Sequence, residues 1–388
     1  MDVDTTSTSS ALEAIKSKVP SSLQADVDKL QELSNKKLWH QLTNTLQAFL
    51  SKPESNNVQI ELYQSFVKGL ASKLDKRRLV EIATTVAGQY EDPAQALEFL
   101  QTLLKEVDTP TTREAYLLCL CESAHFSLLQ SDLPTVQASL SKASKELEAT
   151  DNIPSNVYSS FYRVSGDLAK SKADYVGYYK NSLLYLACLD INTLQKSLTK
   201  EERIARSRDL GIAALLGETI YNFGELLMHP IILDLKESEY SWLYELLHAF
   251  NAGSLGKFES LLPYVQQEPL LASSIDFLRP KICLMSLISL IFSLPTSSRA
   301  SIPFSTISSS THIPVSEVEH LIMKALSLNL VKGEIDEIDK VVRVHWVQPK
   351  VLDIDSIKQL QTRLDEWQVK VSQVGELSVK DAGELMVQ

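Results

Sequence analysis

The chain has 388 residues, of which 44% are hydrophobic and 22% charged, and its formal net charge is −11. This length exceeds that of a typical single domain, so we expect two or more structural units with substantial cores. The acidic balance disfavours general binding to nucleic acids or to anionic membrane surfaces. Glycine and proline, at 12 and 14 residues, are scarce enough to favour long helices over a turn-rich β fold.

The first residues carry no targeting pattern, since residues 2–10 have neither a basic region nor an apolar core. We expect residues 1–10 to be disordered. The longest apolar block, 282–294, is shorter than the roughly 20 residues that span a bilayer, and it predicts a buried helix. The cysteines lack metal-ligand spacing, which favours core thiols in an intracellular chain over a zinc site or disulfides. These cysteines are Cys119, Cys121, Cys188 and Cys283.

A repeat is visible in the first half of the chain, where Asp92, Asp132 and Asp174 each precede a run with helical spacing. In each case an acidic turn residue begins the second helix of a helical hairpin. A period of about 40 residues is typical of an α-solenoid, although an irregular helical bundle is the alternative. The predicted buried positions are Ala96, Leu100, Leu103 and Val107, then Val136, Leu140, Ala143 and Leu147, then Tyr178, Ser182, Tyr185 and Leu189.

Residues 300–347 predict a winged helix, that is, a short helix, a turn, a second helix and a β-hairpin. Ser316 and Glu319 have the spacing of a capping box at the start of the second helix. Alternation over residues 341–346 predicts a strand with one buried side. The predicted buried positions of this module are Val318, Leu321, Ile322, Ala325 and Leu326 in the helix and Val342, Val344 and Trp346 in the strand.

The charges on this module disfavour DNA, because a recognition helix needs Lys or Arg to neutralise phosphates. The second helix carries Glu317, Glu319 and His320 against Lys324. The wing carries four acidic residues against Lys340. These acidic residues are Glu334, Asp336, Glu337 and Asp339. We therefore expect the module to bind protein, and nucleic-acid binding is the least favoured function.

Helical hairpins that run into a winged helix resemble the PCI domain, which occurs in scaffold subunits of the proteasome lid, the signalosome and an initiation-factor complex. The strings that carry the resemblance favour the proteasome-lid members over roughly residues 30–352. Ser254 departs from the family, which often has Asp at this position, but serine also caps helices. The strings are Tyr221–Leu227, His229–Ile231, Arg279, Lys281–Met285, Val318–Leu321 and His345–Pro349.

Pattern and resemblance together predict a mainly α fold, with a right-handed α-solenoid of TPR-like hairpins followed by a winged-helix module and a C-terminal helix. We place the N-terminal helical repeats at 11–170 and the PCI domain at 171–347. Within the PCI domain, 171–295 is the helical part and 296–347 the winged helix. The C-terminal helix and tail occupy 350–388.

The tail has a heptad a/d stripe of apolar residues, which would be unfavourable if it were left in water. One possible partner is the chain's own solenoid. The resemblance implies another, a bundle into which each lid subunit sends a C-terminal helix, and we prefer this second interpretation. The stripe consists of Ile357, Leu360, Leu364, Trp367, Val371 and Val374.

The strand at 341–347 would have unpaired backbone groups along its outer edge. The resemblance implies that PCI subunits associate side by side through their winged helices to form a horseshoe. Edge pairing at Val341, Arg343 and His345 would satisfy these groups, and the last two side chains would help to select the partner. His345 is explained equally well as an ordinary surface residue of a strand, and we assign it no chemical role.

The sequence contains no His-x-His pair, His-Glu-x-x-His motif, phosphate-binding glycine loop or Gly-x-Ser-x-Gly elbow. We therefore expect no catalytic, cofactor-binding or metal-binding residues and no small-molecule substrate.

The resemblance implies a non-catalytic scaffold of the 26S proteasome regulatory particle lid, acting in lid assembly and ubiquitin-dependent degradation in the cytoplasm and nucleus. The implied partners in this hetero-oligomer are other PCI subunits, MPN-domain subunits and the ubiquitin-receptor region, with no nucleic acid or membrane. A scaffold of the signalosome or of an initiation-factor complex is the alternative.

Overall fold

The computed structural model describes residues 16, 21–71, 73–109, 112–150, 152–189, 199–294, 299, 301–351 and 354–385. The predicted disorder at residues 1–10 lies outside these residues. The chain divides into two units, Met1–Leu194 and Gln195–Gln388. Helical hairpins, a winged helix and a C-terminal helix follow one another along the sequence, which confirms the predicted fold class.

The first unit is built from helices that pack against their sequence neighbours. They are α1 (Ser21–Asn35), α2 (Trp39–Leu50), α3 (Gln59–Leu62), α4 (Lys68–Leu70), α5 (Lys76–Ala87), α6 (Pro93–Val107), α7 (Arg113–Leu129), α8 (Leu133–Ala149), α9 (Ser155–Ser171) and α10 (Tyr175–Cys188), with a 3₁₀ turn at Pro53–Val58 and a π-helical turn at Tyr63–Val67.

The three aspartates of the predicted repeat are the N-caps of α6, α8 and α10. An aspartate at this position satisfies a backbone N–H group that has no partner within the helix. The hairpins α7–α8 and α9–α10 also share a turn in which a left-handed residue, Ser131 or Ala173, precedes the cap. The capping bonds run from the N–H of Ala94 to Asp92, from Thr135 to Asp132 and from Gly177 to Asp174.

The buried faces of α6 and α8 contain all of the predicted residues, whereas that of α10 contains only one of them. In α10, Tyr178 is buried as predicted, but Ser182, Tyr185 and Leu189 are only half-buried. Tyr179 and Leu186 are buried instead. The reason is that apolar residues occupy several sides of α10, so its sequence does not specify a single face.

A buried ion pair joins α7 and α9 within the first unit. Glu122 is almost fully buried, and Nη2 of Arg163 donates to its two carboxylate oxygens at 2.8 and 2.7 Å. A buried carboxylate requires such a partner, because removing one charge of a buried pair leaves the other uncompensated. This contact therefore fixes one hairpin against the next.

The second unit begins with helices and ends with a small sheet and a long helix. Its elements are α11 (Lys200–Leu216), α12 (Gly224–Met228), α13 (Leu233–Lys236), α14 (Ser241–Ala252), α15 (Leu255–Val265), α16 (Pro269–Ala272), α17 (Ile275–Ser293), β1 (Ile302–Pro303), α18 (Phe304–Thr311), α19 (Val315–Ser327), β2 (Val331–Asp336), β3 (Val341–Val347) and α20 (Ile354–Leu385), with a 3₁₀ turn at Pro230–Ile232.

The predicted buried helix at 282–294 lies within α17, where Ile282, Met285 and Ile288 are in the core. Among the helices that the structure describes, none has both the length and the apolar character needed to cross a membrane. The four cysteines are free thiols. Cys119 and Cys121 are buried as predicted, whereas Cys188 and Cys283 are only half-buried.

The winged helix is present as α18, α19 and the β2–β3 hairpin, but the predicted capping box is absent. Helix α19 begins at Val315, so Ser316 already lies inside its first turn. Pro314 is at the N-cap position, and no side chain caps the helix. Pro314 has a ψ of 145° and is therefore the last extended residue, so the helix starts earlier than the Ser316–Glu319 spacing predicted.

A β-bulge changes the orientation of Trp346. Val344 pairs with Gly333, whereas Trp346 pairs with Lys332, so His345 is an extra residue in β3. Because an extra residue reverses the alternation of side chains, Val342 and Val344 are buried but Trp346 is 41% exposed. The prediction that Trp346 is buried was therefore wrong. Its ring lies 5.1 Å from Nζ of Lys332.

The turn between α14 and α15 depends on Gly253, which has a φ of +69°. A Cβ atom at this position would lie 2.6 Å from the Cα of Ser286 in α17. Ser254 is at the N-cap of α15, but its side chain makes no capping hydrogen bond, contrary to the prediction. The close approach of the turn to α17 therefore requires glycine at residue 253.

We expect Gly253→Ala to lower the free energy of unfolding by about 2–4 kcal/mol, through left-handed backbone strain and contact with the α17 backbone. Urea unfolding of the full chain measures this change. The matched control is Gly256→Ala in α15, where a Cβ atom meets nothing within 4 Å, and alanine should be neutral or stabilising by up to about 1 kcal/mol. Equal effects of the two substitutions would contradict this explanation of the turn.

Candidate protein-interaction surfaces

The C-terminal helix α20 has 32 residues, which corresponds to a length of about 48 Å. Its side chains are described at 357, 358 and 360–376, and all of them are exposed. The predicted stripe is exposed along its whole length, from 46% at Leu360 to 65% at Trp367. Within the described residues, the stripe is therefore not covered by the chain's own helices.

The exposed stripe has a large capacity for favourable burial. Full burial of one such side chain stabilises a complex by about 1.5–3 kcal/mol, and these side chains have about half of that still to gain. The other faces of α20 carry charges of both signs, including Lys358, Arg363, Asp365 and Glu366. A mixed polar surface with one apolar stripe is typical of a helix that packs against other helices.

The segment between β3 and α20 is attached to the second unit. The N–H of Gln348 donates to the carbonyl of Leu330 at 2.8 Å, and the ammonium of Lys350 donates to the carbonyl of Asn251. Because Asn251 lies at the end of α14 and Leu330 precedes β2, the chain is attached to the second unit shortly before α20 begins.

The sheet has the order β1-β3-β2, so β3 is its central strand. Ile302 pairs with Val342 and Pro303 with Val341, which means that the chain itself covers the start of β3. The prediction that Val341 lies on an unpaired edge was therefore wrong. It failed because the two-residue strand β1 is too short to leave a pattern in the sequence.

Arg343 and His345 lie beyond β1 on β3, and both side chains are exposed. Nη2 of Arg343 lies 3.4 Å from a carboxylate oxygen of Asp336 in the neighbouring strand. At the tip of the wing, Ile338 is 94% exposed. The outer edge of β2 and the part of β3 beyond β1 lie on opposite edges of the sheet, and both are without a partner strand among the described residues.

Lys281 is the most unusual residue of the second unit, because it is only 1% exposed. Its ammonium group donates to the carbonyls of Ala214 and Leu215, each at 2.9 Å, and to that of Gly217 at 2.7 Å. These carbonyls lie at the C-terminal end of α11, where the last oxygens of a helix have no partner within it. Lys281 therefore joins α17 to α11 and caps the negative end of that helix.

Three aromatic rings surround the same ammonium group. Tyr221 and Phe223 lie 5.5 Å from Nζ and Phe277 lies 5.6 Å away, within the range of cation–π attraction. Burial lowers the pKa of Lys281 to about 7, because desolvation disfavours the charged form. Two of the strings that carry the family resemblance, 221–227 and 281–285, thus meet at one lysine.

Sequence reasoning missed the role of Lys281. A lysine followed directly by an apolar block was the available signal, since a lysine in the centre of a buried helix requires partners. The identity of those partners was not readable, because they are backbone carbonyls more than 60 residues away.

Within the part of the chain that the structure describes, no group of three His, Cys, Asp or Glu side chains could hold a metal ion.

Residues 26–247 match the family model for PSD13 N-terminal repeats, and residues 262–346 match the PCI domain model. The chain belongs to the PSD13 family. The predicted resemblance to PCI-domain proteins is thereby confirmed. The PCI match covers α17, the winged helix and β3, and the repeat match covers the hairpins of the first unit and the start of the second.

Three relatives are similar over almost the whole chain. The probable 26S proteasome regulatory subunit rpn9 of Schizosaccharomyces pombe is 37% identical over 94% of each chain. The 26S proteasome regulatory subunit RPN9 of Saccharomyces cerevisiae is 35% identical, also over 94% of each chain. The 26S proteasome non-ATPase regulatory subunit 13 of Dictyostelium discoideum is 34% identical over 92% of this chain and 93% of its own.

We expect Lys281→Met to lower the free energy of unfolding by roughly 3 kcal/mol, because it leaves buried carbonyls at the end of α11 without donors. Urea unfolding at neutral pH measures the change. Lys257→Met, at an exposed position in α15, is the matched control and should have little effect. Similar losses in both variants would show that Lys281 has no special role.

The same residue predicts a dependence of stability on pH. The pKa of Lys281 is about 7 when folded and 10.5 at its ordinary value, so between these pH values the unfolded chain binds more protons at this residue. The stability of the wild type relative to Lys281→Met should therefore be lowest below pH 7 and rise as the pH approaches 10. A difference that is constant over this range would contradict the assignment.

Proposed function

We propose that the chain is a non-catalytic scaffold subunit of the 26S proteasome regulatory particle, located in its lid. The observation that carries the proposal is the near full-length similarity to two yeast proteins that are both named as 26S proteasome regulatory subunits. Because the similarity covers 94% of this chain, it includes both the helical hairpins and the winged helix. In this role the chain supports lid assembly and, through it, ubiquitin-dependent protein degradation.

The C-terminal helix α20 supplies the main attachment in this proposal. Its stripe, exposed from Ile357 to Val374, packs in a bundle with helices of other lid subunits. The a/d spacing supports a helical partner rather than a flat surface, since the residues repeat every three or four positions along one face. Lys350, which precedes α20 in the sequence, donates to Asn251, so the chain is anchored to α14 shortly before the helix begins.

The winged helix supplies a second, lateral contact with another PCI subunit. The unpaired side of β2 and the exposed residues Arg343 and His345 support this assignment, because a free strand edge favours pairing with another chain. Val341 is excluded from this surface, since it already pairs with Pro303. MPN-domain subunits and the ubiquitin-receptor region of the particle are further proposed neighbours.

The role is structural rather than enzymatic. Among the described residues, the buried charged side chains of Lys281 and of the Glu122–Arg163 pair make internal contacts that fix helices to one another. We place the protein in the cytoplasm and nucleus. The free thiols support a reducing compartment, because disulfides form mainly in oxidising ones.

Sedimentation of native extract that contains a tagged copy of the full chain tests the assignment. The tagged chain should sediment with peptidase activity at the position of the 26S particle. Sedimentation with a different assembly, or as a free protein, would refute the proposal.

A matched pair of substitutions tests the role of the stripe in α20. We expect Val371→Asp, on the stripe, to reduce incorporation into the 26S particle by about tenfold or more, because it places a charge in an apolar helical interface. Val369→Asp is the control, since Val369 is similarly exposed, at 56% against 54%, but lies off the stripe. Equal incorporation of the two variants would contradict the proposed bundle.

A further inference from the structure

A polar cleft in the first unit has no part in the function proposed above. It lies between α2, the turn before α5, the first turn of α5 and the start of α7, and its volume is about 490 Å³. Its walls carry Trp39, His40, Lys73, Arg77 and Arg78. In a chain whose net charge is −11, the three basic side chains of this cleft outnumber the two acidic ones, Asp75 and Glu114, that also line it.

The cations of the cleft are held in place but are largely free of opposite charges. Nζ of Lys73 lies over the ring of Trp39 at 5.3 Å, and the guanidinium of Arg78 donates to the side-chain oxygen of Asn44. The ion pairs among the described residues include neither Lys73 nor Arg78. Uncharged groups therefore hold these two side chains in position, and their positive charges are not balanced by an ion pair.

Arg77 is the third cation, and its charge is only partly balanced. Its Nε atom is 3.8 Å from a carboxylate oxygen of Glu81, beyond hydrogen-bond distance. This nitrogen is buried and has no hydrogen-bond partner within the described part of the chain. The side chain as a whole is 33% exposed, so an incoming acceptor would have to bond to the other nitrogens of the guanidinium, because Nε itself is out of reach.

Two carboxylates also line the cleft, and they limit what it can bind. Asp75 accepts a hydrogen bond from the backbone N–H of Arg77 as the N-cap of α5, and its carboxylate keeps its negative charge. Glu114, in the first turn of α7, is the second carboxylate of the cleft. A continuous row of phosphates would meet this charge, whereas a short segment with spaced carboxylates can avoid it.

We propose that this cleft binds an acidic peptide segment of a partner protein through Asp or Glu side chains. The carboxylates would accept hydrogen bonds from Arg77 and Arg78 and lie beside the ammonium of Lys73, and the half-buried ring of Trp39 would pack against the peptide. The volume of the cleft fits a few residues rather than a folded domain. The cleft belongs to the first unit, whereas α20 and the winged helix belong to the second.

Fluorescence anisotropy on the full chain tests the proposal. The probe is a fluorescein-labelled peptide of glutamate and glycine, and the comparison probes are the glutamine–glycine peptide and an oligothymidine of equal length. The wild type should bind the acidic peptide more tightly than either comparison probe, and added salt should weaken this binding.

The cleft variant combines Lys73→Gln, Arg77→Gln and Arg78→Gln. Its matched control combines Lys68→Gln, Lys105→Gln and Lys145→Gln, three exposed lysines of the same unit, and has the same net charge. We expect binding of the acidic peptide to be on the order of tenfold weaker in the cleft variant and unchanged in the control. Arg77→Lys with Arg78→Lys should keep most of the binding.

Several outcomes would overturn the proposal. One is equal binding of the acidic and neutral peptides by the wild type, and another is equal weakening in the cleft and control variants. Tighter binding of the oligothymidine, lost in the cleft variant, would reassign the cleft to single-stranded nucleic acid. If the triple variant does not fold, Lys73→Gln at an exposed residue replaces it, with an expected weakening of about threefold.

Discussion

The second unit depends on the contact between the ammonium group of Lys281 and the end of α11. The last carbonyls of α11 point into the core, where water cannot reach them, and a helix end without partners would be unstable there. Lys281 supplies the donors from α17, and the rings of Tyr221, Phe223 and Phe277 cover the charge. One side chain thus joins α11, α17 and the segment between α11 and α12.

This arrangement explains how a helical unit can support a winged helix and a free helix. Helix α17 packs against α18 and α19, and it is held against α11 by Lys281. The turn at Gly253 lies close to the backbone of Ser286, also in α17. The winged helix is therefore attached to a rigid element, and α20 leaves the unit from a segment attached near α14 and β2. A scaffold subunit needs such rigidity, because its function is to place other proteins at fixed positions.

The sequence predicted features that depend on local chemistry. The aspartate caps of α6, α8 and α10 were readable because a capping residue acts on backbone groups two or three positions away. The buried faces of α6 and α8 were readable because their apolar residues recur with the period of a helix. The winged helix and the apolar stripe of α20 were also readable, since both have clear periodicity. In α10 the periodicity was ambiguous, and there the predicted face was wrong except at Tyr178.

Features that depend on distant pairing could not be predicted. The bulge at His345 results from the register of β2 against β3, and a regular alternation placed Trp346 on the wrong side. Strand β1 has two residues and becomes visible only when it pairs with Val341 and Val342. The acceptors of Lys281 are backbone atoms, which have no sequence signature. The basic cleft is formed by residues from α2, α5 and α7 that are far apart in the sequence.

Hydrogen–deuterium exchange of the backbone amides at 357–376 tests the central claim, that assembly covers the exposed stripe of α20. The measurement compares the isolated chain with the same chain in purified 26S particles. In the isolated chain these amides should exchange rapidly, because a helix whose described stripe is not packed against other residues opens locally at a low cost in free energy. In the particle they should be strongly protected along the stripe. Equally rapid exchange in both states would contradict the claim that α20 attaches this protein to its assembly.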